Sequence, residues 1–341
     1  MTPPVRIAVI GTGFGQKVHV PAFRADNRCE VVAICASTLQ SAARAAEEAG
    51  ISEAYGDVHE MLTTAQVDAV SIAVPPVVQA QLVIEAAKAG KHVFCEKPLA
   101  KDEKTAKEAL AAVERAGVTH AIDFIFPEIA AWQKARLMLV EGKLGQLRHA
   151  ALTWRVETYA FAAGLDSWKT RNQDGGGAVN NFLSHSLYNL EWLLGPFARV
   201  ATQILPRNSR NNSGVETWFE AESKCSVTVS IANDAFLGSG HRLEIYGERG
   251  SLVLSNPTRD YVNGFTLSVG TRDGGSFSTE LTEPHSGADG RVAAVSKIFG
   301  RFLDGITSGS LVRPNLTDGL RVQHLIAKVC AADETGTWQS V

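Results

Sequence analysis

Residues 9–23 read VIGTGFGQKVHVPAF, and this stretch decides the fold of the first part of the chain. A Gly-x-Gly-x-x-Gly turn between a strand and a helix binds a dinucleotide, because the first glycine permits the tight turn and the second lets the backbone approach the pyrophosphate. Gly11 and Gly13 occupy those two positions, whereas Gln16 stands at the third and Gly15 lies one residue early. Since the third glycine mainly serves close packing of helix on strand, the stretch still predicts a dinucleotide-binding loop. The alternative is an ordinary glycine-rich turn between a strand and a helix.

Apolar runs and helical stretches alternate through the first 125 residues. This order predicts an α/β Rossmann domain, in which helices cover both faces of a doubly wound parallel sheet. The expected strands are Val5–Ile10, Val31–Cys35, Ala69–Val74, His92–Cys95 and Val118–Phe124. The expected helices are one from about Lys17, then Ser41–Gly50, Val78–Ala89 and Asp102–Ala116.

The pattern changes after about residue 125, where longer β-like runs are joined by short Gly/Asn turns. Such consecutive strands predict an α+β domain with an open, mostly antiparallel sheet. The expected strands are Leu147–Tyr159, Val200–Ile204, Val215–Glu222, Ser226–Ala232, Arg242–Tyr246, Ser251–Ser255 and Gly264–Val269. The expected helices are Trp132–Val140, Ser184–Leu194, Val292–Ile306 and Leu316–Ala332. We therefore predict a first domain over 1–124 and a second over 125–341, with the helix at about 316–332 as a candidate to pack back on the first domain.

Composition narrows the class of protein. Of the 341 residues, 45% are hydrophobic and 20% charged, as in soluble globular proteins with sizeable cores. The formal net charge is −3 without any basic run, which argues against nucleic acid or an anionic membrane as a partner. No apolar stretch reaches membrane-spanning length. Five cysteines without metal-type spacing, and an N-terminus without the features of a signal peptide, predict reduced thiols, no metal site and a cytoplasmic location.

The residues after the second predicted strand bear on the choice of dinucleotide. An NAD site usually has an Asp or Glu there, which hydrogen-bonds the ribose 2′-hydroxyl. The chain reads Ala36-Ser37-Thr38, and the next acidic residue is Glu47. A carboxylate would repel a 2′-phosphate, whereas the Ser37 and Thr38 hydroxyls can donate to one. We therefore favour NADP(H) over NAD(H); the alternative is that these residues only begin the next helix and either cofactor is used.

Residues 90–100, GKHVFCEKPLA, place a lysine directly after a buried strand. Lys97 follows Glu96 at the carboxyl edge of the predicted parallel sheet, which is where ligands bind in such folds. A lysine there can donate to a substrate oxygen and stabilise the charge that develops as hydride moves. The alternative is a solvated surface lysine.

Residues 174–195, DGGGAVNNFLSHSLYNLEWLLG, lead three glycines into a predicted helix. Asn181 and His185 are four residues apart and Tyr188 follows three later, so we expect the three side chains to share one helix face. A histidine there can act as general acid or base. The alternative is a structural histidine, hydrogen-bonded within the core.

Together these segments resemble the Gfo/Idh/MocA family, which comprises glucose–fructose oxidoreductase, inositol dehydrogenase and related oxidoreductases. The similarity covers nearly the whole chain, from VIGTGFG through GKHVFCEKPLA and GGGAVNNFLSH to LEIYGERGSLVL and DGLRVQHLIAKVCAADETGTW. The resemblance implies a Rossmann domain, a second domain with an open sheet, a nicotinamide cofactor and a site in the cleft between the domains. It also implies a small-molecule sugar or polyol substrate that exchanges hydride at a hydroxyl or ketone, and a homodimer or homotetramer formed through the sheet of the second domain.

The resemblance also assigns roles to individual residues. Lys97 would polarise the reacting oxygen, His185 would relay the proton and Asn181 would orient the substrate. The predicted cofactor-binding residues are Gly11, Thr12, Gly13, Phe14, Gly15, Ser37, Thr38, Pro75, Gln79, Glu96 and Lys97. The predicted substrate-binding residues are Lys97, Trp168, Lys169, Arg171, Asn181, His185 and Tyr188.

Three positions depart from the family pattern, one of them near Pro127, where many members carry an arginine and this chain reads Pro127-Glu128. Asn181 stands where the family often has aspartate, and Gln79 replaces a histidine that follows the proline turn at Pro75. These departures keep open a second function, a dinucleotide-binding regulator or sensor without turnover, although the presence of both Lys97 and His185 favours an enzyme. Because an amide at 181 gives His185 no carboxylate support, we expect Lys97 to be the dominant acid/base.

Overall fold

Two units, each with its own sheet, make up the chain. The computed structural model describes residues 3–206, 211–258, 260–284, 287 and 289–341. The first unit comprises Met1–Ile125 and Asp289–Gln323, and the second comprises Phe126–Ala288 and His324–Val341.

The sheet of the first unit is parallel throughout, which confirms the predicted Rossmann architecture. Its strands are, in chain order, β1 (Val5–Ile10), β2 (Cys29–Cys35), β3 (Glu53–Tyr55), β4 (Ala69–Ile72), β5 (His92–Cys95) and β6 (His120–Ile122). Between them run α1 (Val20–Arg24), α2 (Leu39–Ala49), α3 (Val58–Thr64), α4 (Pro76–Lys88) and α5 (Glu103–Ala116). The strand order β3-β2-β1-β4-β5-β6 reverses direction between β1 and β4, and ligands bind at such a switch point.

The predicted helix ends follow from capping chemistry. The Asp102 carboxylate accepts the Thr105 amide at 2.8 Å and begins α5. Gly50 and Gly117 end α2 and α5 in the left-handed conformation that glycine adopts without steric cost. The sequence patterns did not predict β3 and α3, because three and seven residues are too short for a clear periodicity.

The second unit contains a mostly antiparallel sheet, as predicted. Its strands in the described residues are β7 (Leu147–Arg155), β8 (Phe197–Leu205), β9 (Gly214–Ala221), β10 (Ser226–Ala232), β11 (Gly240–Gly247), β12 (Gly250–Asn256), β13 (Thr266–Thr271), β14 (Phe277–Thr282) and β15 (Gln339–Ser340). Its helices in the same residues include α6 (Ala130–Val140), α7 (Tyr159–Ala162) and α8 (Ser184–Leu194). The strand order is β14-β13-β12-β11-β7-β10-β9-β8-β15, and only β7 and β10 pair in parallel.

Two C-terminal helices, α9 (Gly290–Ser308) and α10 (Leu316–Thr335), complete the described elements. The Phe299 ring of α9 stacks on Phe23 at a centroid distance of 3.8 Å, and Phe302 meets Phe94 at 5.8 Å. Asp289–Gln323 groups with the first unit, whereas we predicted these residues within a second domain of 125–341, with the helix at about 316–332 as the candidate to pack back on the first domain. The sequence predicted a helix over Val292–Ile306 but not the surface against which it packs. None of the described helices has the length and apolar character needed to cross a membrane.

Candidate functional site

The carboxyl edge of the parallel sheet gathers most of the residues that we predicted to bind a cofactor. Gly11 follows β1, Ser37 lies two residues after β2, Pro75 follows β4, and Glu96 and Lys97 follow β5. Because these four strands are neighbours in the sheet, the loops that leave them lie side by side. Residues far apart in the sequence therefore meet at one edge.

The glycine loop explains why a third glycine is not needed at position 16. A Cβ on Gly11, whose φ is +113°, would lie 2.2 Å from the Ala73 carbonyl oxygen, so only glycine fits there. A Cβ on Gly15 would lie 2.9 Å from Val9 Cγ1, so Gly15 performs the close packing on the strand that the third glycine usually provides. A Cβ on Gly13 would meet no atom within 4 Å, which leaves open space over this turn.

A π-helical turn over Gly15–His19 accommodates the early position of this glycine. In such a turn the hydrogen bond spans five residues rather than four, so one additional residue is taken up before α1 begins. Gln16 is thereby freed from packing on the strand, and its side-chain amide donates to Glu48 at 2.9 Å. Phe14, between the glycines, packs its ring against His19 and beneath the Arg291 guanidinium, each at 5.3 Å, while Thr12 is half-buried.

The two hydroxyls after β2 have different surroundings. Thr38 caps α2: its Oγ1 accepts the Ser41 amide at 3.2 Å and donates to Ser41 Oγ at 2.9 Å. Its donor is therefore used within the protein, and Ser37, which is exposed, remains the hydroxyl of this pair that can donate to a 2′-phosphate. The sequence favoured NADP(H) because two hydroxyls could donate to a 2′-phosphate, and in the structure one of them, that of Ser37, remains available.

The turn after β5, residues 96–100, is held by two buried glutamines. The side-chain amide of Gln79 donates to the carbonyls of Glu96 and Pro98, the latter at 2.9 Å, and the Gln323 amide donates to Ala100 at 2.6 Å. Gln79 is only 1% exposed, and its amide fixes the backbone beside Lys97. One oxygen of the Glu96 carboxylate points inward to His19. That Gln79 and Glu96 also contact the cofactor stays a prediction.

A buried histidine that the sequence analysis did not select lies under this turn. His19 Nδ1 is 2.7 Å from Ser71 Oγ, and its Nε2 is 3.2 Å from Glu96 Oε1 and 3.7 Å from Asp123 Oδ2. Ser71, Glu96 and Asp123 lie at or just beyond the carboxyl ends of β4, β5 and β6. The sequence does contain a signal for this cluster, because a polar residue occurs at the end of each of three neighbouring strands.

The His19 cluster, comprising His19, Ser71, Glu96 and Asp123, has unusual protonation. Burial alone would lower the pKa of His19, but hydrogen bonds to Asp123 and Glu96 raise it to about 9. Burial, reinforced by the negative charge of Glu96, raises the pKa of Asp123 to about 8. Burial opposes ionisation of Glu96, but the hydrogen bond and positive charge of His19 hold its pKa below the ordinary value. At neutral pH the cluster therefore contains an ion pair between His19 and Glu96 beside a protonated Asp123.

The second unit uses its three glycines to close a loop onto the start of a helix. A Cβ on Gly176 would lie 1.9 Å from the Trp168 carbonyl, and one on Gly177 would lie 2.2 Å from Asn212 Oδ1. The side-chain oxygen of Asn212 also accepts the backbone N–H of Val179 at 3.2 Å, while the backbone N–H of Asn212 donates to the side-chain oxygen of Asn172 at 2.8 Å. These contacts fix the entry into a second π-helical turn, Ala178–Leu183, which runs directly into α8.

The three polar residues that we expected to share one helix face lie on both sides of the junction between this turn and α8. Asn181 lies within the π-helical turn, whereas His185 and Tyr188 lie in α8. Because a π-helix advances by a smaller angle per residue than an α-helix, four residues still complete about one turn, and the shared face stays a prediction. His185 is buried, with the Phe126 ring at 5.2 Å and the Trp154 ring at 6.0 Å.

The predicted substrate loop brings Arg171 close to two carboxylates. Arg171 Nε is 3.0 Å from Asp174 and 3.4 Å from Asp166, so its charge is largely balanced within the loop. Lys169 is exposed, and its Nζ lies 6.0 Å from the ring centre of Trp168. The loop therefore presents one aromatic ring and one lysine.

A further buried histidine lies in the same aromatic cluster as His185. His241 contacts Phe126 at 5.4 Å and Trp154 at 4.8 Å. Burial lowers the pKa of His241 to about 3, so the imidazole is neutral. Neither ring nitrogen has a hydrogen-bond partner in the described part of the chain.

Comparison with known proteins adds independent findings. The family models described as "Oxidoreductase family, NAD-binding Rossmann fold" and "Oxidoreductase family, C-terminal alpha/beta domain" match residues 5–124 and 136–341. An uncharacterized oxidoreductase of Synechocystis sp. is 32% identical over 100% of this chain and 97% of its own length. Inositol 2-dehydrogenase of Azotobacter vinelandii is 26% identical over 96% of this chain and 93% of its own. The structure of a levoglucosan dehydrogenase in complex with NADH and levoglucosan superposes with a TM-score of 0.88 at 22% identity, covering 99% of each chain, which shows a shared fold.

Proposed function

The chain belongs to the Gfo/Idh/MocA family of oxidoreductases, and from this premise we propose that it transfers hydride between a nicotinamide dinucleotide and a secondary hydroxyl or ketone of a sugar or polyol. The observation that carries the proposal is the sheet edge that holds both the glycine loop and Lys97. A pyrophosphate-binding turn and an ammonium group on neighbouring loops are what hydride transfer to or from a carbonyl carbon requires.

The residues of the loop fit a dinucleotide. Gly11 and Gly15 are required by packing, whereas the open space over Gly13 is what a bound pyrophosphate needs in order to reach the backbone amides. The nicotinamide ring, when bound, supplies or accepts the hydride. We propose that Thr12 and Phe14 contribute backbone contacts to the pyrophosphate and that Pro75 and Lys97 lie on the nicotinamide side.

The chain's own residues then handle the proton and the developing charge. We assign Lys97 to donate a hydrogen bond to the reacting oxygen, which stabilises an alkoxide as it forms. His185 takes or returns the proton, and Asn181 and Tyr188 orient the other hydroxyls of the substrate. With an amide at 181, His185 has no carboxylate from that position, so Lys97 carries the larger part of the catalysis.

An uncharged substrate is favoured over an anionic one. Arg171, the strongest candidate to bind an anion, already pairs with Asp166 and Asp174. The Trp168 ring beside Lys169 suits the apolar face of a sugar ring together with one of its hydroxyls. The names of the relatives, inositol 2-dehydrogenase and levoglucosan dehydrogenase, support cyclic polyhydroxylated substrates of this kind.

Turnover is the decisive test. We expect purified protein with NAD⁺ or NADP⁺ to oxidise at least one member of a panel of inositols, anhydrosugars and aldoses, and to reduce the corresponding ketone with the reduced cofactor. The Lys97→Ala variant is the negative control. Tight dinucleotide binding without turnover on any member would instead support the regulator or sensor function.

The cofactor preference remains a separate prediction. We propose that NADP(H) is accepted through Ser37, with a modest preference because Thr38 is used as a helix cap. Titration of wild type and Ser37→Ala with NADPH and NADH, monitored by cofactor fluorescence, measures this contribution. Equal affinities of wild type and variant for NADPH would contradict it, and so would a strong preference of wild type for NADH.

We also propose a homodimer or homotetramer through the outer face of the second sheet, in the cytoplasm. Trp218 is 44% exposed and Tyr246 is 37% exposed on strands of this sheet. Large aromatic side chains left accessible on a sheet are typical of a face that is covered by a partner. Sedimentation of wild type and Trp218→Glu tests this, with a shift of the variant toward monomer as the expected result.

The cytoplasmic location rests on the five cysteines, all of which are free.

A further inference from the structure

Burial of the His19 imidazole in the core costs free energy, and the proposed reaction does not use this residue directly. It is completely buried and lies between the Phe14, Phe23 and Phe94 rings at 5.3–5.5 Å. A charged imidazole in such an apolar environment persists only when acceptors satisfy it. The acceptors here are Ser71 Oγ at Nδ1 and the Glu96 carboxylate at Nε2.

The same carboxylate connects His19 to Lys97. Glu96 Oε1 pairs with the imidazole, while Oε2 accepts the backbone N–H of Lys97 at 3.2 Å. Gln79 and Gln323 fix the carbonyls of this turn from the other side. The backbone of Lys97 is thus held by an acceptor whose own position depends on His19.

We propose that His19 is a positioning residue for Lys97: by binding one oxygen of Glu96 it holds the other oxygen on the Lys97 amide, and it competes with the Lys97 ammonium for the Glu96 carboxylate. This inference rests on the catalytic role proposed for Lys97. It predicts that without His19 the Glu96 carboxylate turns and pairs with the Lys97 side chain, which removes that ammonium from the substrate oxygen.

The charges around His19 are consistent with this role. Glu96 faces it from the end of β5 and Asp123 from the end of β6, and the Arg291 guanidinium of α9 lies over the Phe14 ring that contacts His19. The neighbouring Cys95 thiol is uncharged, because burial raises its pKa well above the ordinary value. A cationic His19 therefore balances the charge of Glu96 locally, on the side of the carboxylate that faces the core.

The first test measures the reactivity of Lys97 without any substrate. An amine-reactive reagent is applied to wild type, His19→Gln and the double variant His19→Gln/Glu96→Gln, and labelling of Lys97 is quantified by peptide mass spectrometry relative to exposed Lys107. We expect His19→Gln to slow labelling of Lys97 about fivefold and the double variant to restore it, because the carboxylate that pairs with the ammonium is gone. His92→Gln, which removes another histidine of the same sheet, is the matched control. Unchanged labelling in folded His19→Gln overturns the proposal, and so does a double variant that stays as slow as the single one.

The second test observes His19 in the wild-type protein. Selective ¹⁵N-histidine labelling with an NMR pH titration should show one imidazole that is still doubly protonated at pH 8, assigned by its loss in His19→Gln. A neutral imidazole at pH 7 overturns the proposal, as does one equivalent of tightly bound metal in the purified protein, since a metal ligand cannot hold both protons. Once a substrate is known, His19→Gln should lower kcat about tenfold and change KM less than about twofold. Failure to find any substrate leaves the labelling and NMR results valid, so the two proposals fail separately.

Discussion

The two π-helical turns in the described residues can be compared directly, because each places a histidine at the start of a helix. Gly15–His19 ends on its histidine, and Ala178–Leu183 runs into α8, whose second residue is His185. Such turns are rare and concentrate at functional sites. His19 has a polar partner at both ring nitrogens, whereas His185 lies against the Phe126 and Trp154 rings.

The difference teaches how surroundings decide the use of a histidine. An imidazole that is charged at neutral pH needs acceptors held in place around it, and the ends of β4, β5 and β6 provide them for His19. We propose that His185, on a helix whose entry is fixed by closely packed glycines, is instead placed to exchange a proton. The same backbone device therefore supports a fixed charge in one unit and an acid/base in the other.

The strongest test of the proposed role of His185 is to remove the two proposed reacting groups, Lys97 and His185, one at a time. Lys97→Ala should lower kcat by about 10² to 10⁴-fold, because a positioned proton donor typically contributes that much. His185→Ala should cost only about tenfold, since Asn181 gives it no carboxylate support. Steady-state kinetics checks this, with cofactor fluorescence as the control for intact binding. Equal residual rates would argue against Lys97 as the dominant group.

The glycines before each π-helical turn offer the next largest effect. Gly177→Ala should lower the free energy of unfolding by about 2 to 4 kcal/mol, because a Cβ there meets Asn212 Oδ1 and the backbone conformation is open to little else than glycine. Gly13→Ala should leave the unfolding free energy within about 1 kcal/mol of wild type but weaken dinucleotide binding, since its Cβ enters open space. Urea melts and cofactor titrations separate the two outcomes. A Gly13→Ala variant that binds as wild type would contradict the proposed pyrophosphate position.

The charge on His19 predicts that the stability of the protein depends on pH. The pKa of His19 is about 9 in the folded protein against an ordinary value of 6.5, so its stabilisation is complete below pH 6.5 and is lost as pH rises through about 9. Asp123, with its pKa raised from 3.8 to about 8, stabilises the folded protein only while it is protonated, so its contribution is lost between about pH 4 and pH 8 and overlaps only the start of this range. The melting temperature of wild type should therefore fall between pH 7 and 9.5 more steeply than that of His19→Gln. Parallel curves for the two proteins would contradict a charged His19.

The smallest effect concerns His241, which shares the Phe126 and Trp154 rings with His185. His241→Phe should raise the free energy of unfolding by about 1 to 2 kcal/mol, because it replaces two ring nitrogens that lack a partner in the described residues by carbon of similar shape. The gain should be largest at low pH, since a histidine with its pKa lowered to about 3 loses stability as pH falls below 6.5. Thermal melts at pH 5 and pH 7 measure both effects. A destabilised variant would indicate that these nitrogens are hydrogen-bonded, for example to buried water.

The sequence predicted the elements that local patterns encode. β5, β10 and α8 have the predicted bounds, and the strand–helix alternation was sufficient for the parallel sheet. β14 was not predicted, because exposure along almost its whole length removes the alternation that marks a half-buried strand.

The site was predicted only where its chemistry lies in one short segment. Gly11 and Lys97 could be selected from their own motifs, but His19 lies 52 residues from Ser71 and 77 from Glu96 along the chain. Its partners become visible only once β4, β5 and β6 are known to be neighbours. Position 16 illustrates the same limit, since no residue pattern announces a π-helical turn.

The assignment of Asp289–Gln323 to the first unit has a consequence for synthesis of the protein. Phe23 and Phe94 of that unit are covered by Phe299 and Phe302 of α9, which leave the ribosome about 180 residues after the last strand of the sheet. At typical translation rates this interval is about 10 to 40 s, during which an apolar face of the nascent Rossmann sheet has no cover. The dinucleotide-binding unit therefore begins folding first and finishes late, and a chaperone that shields aromatic surface is most useful to this chain while its second sheet is being made.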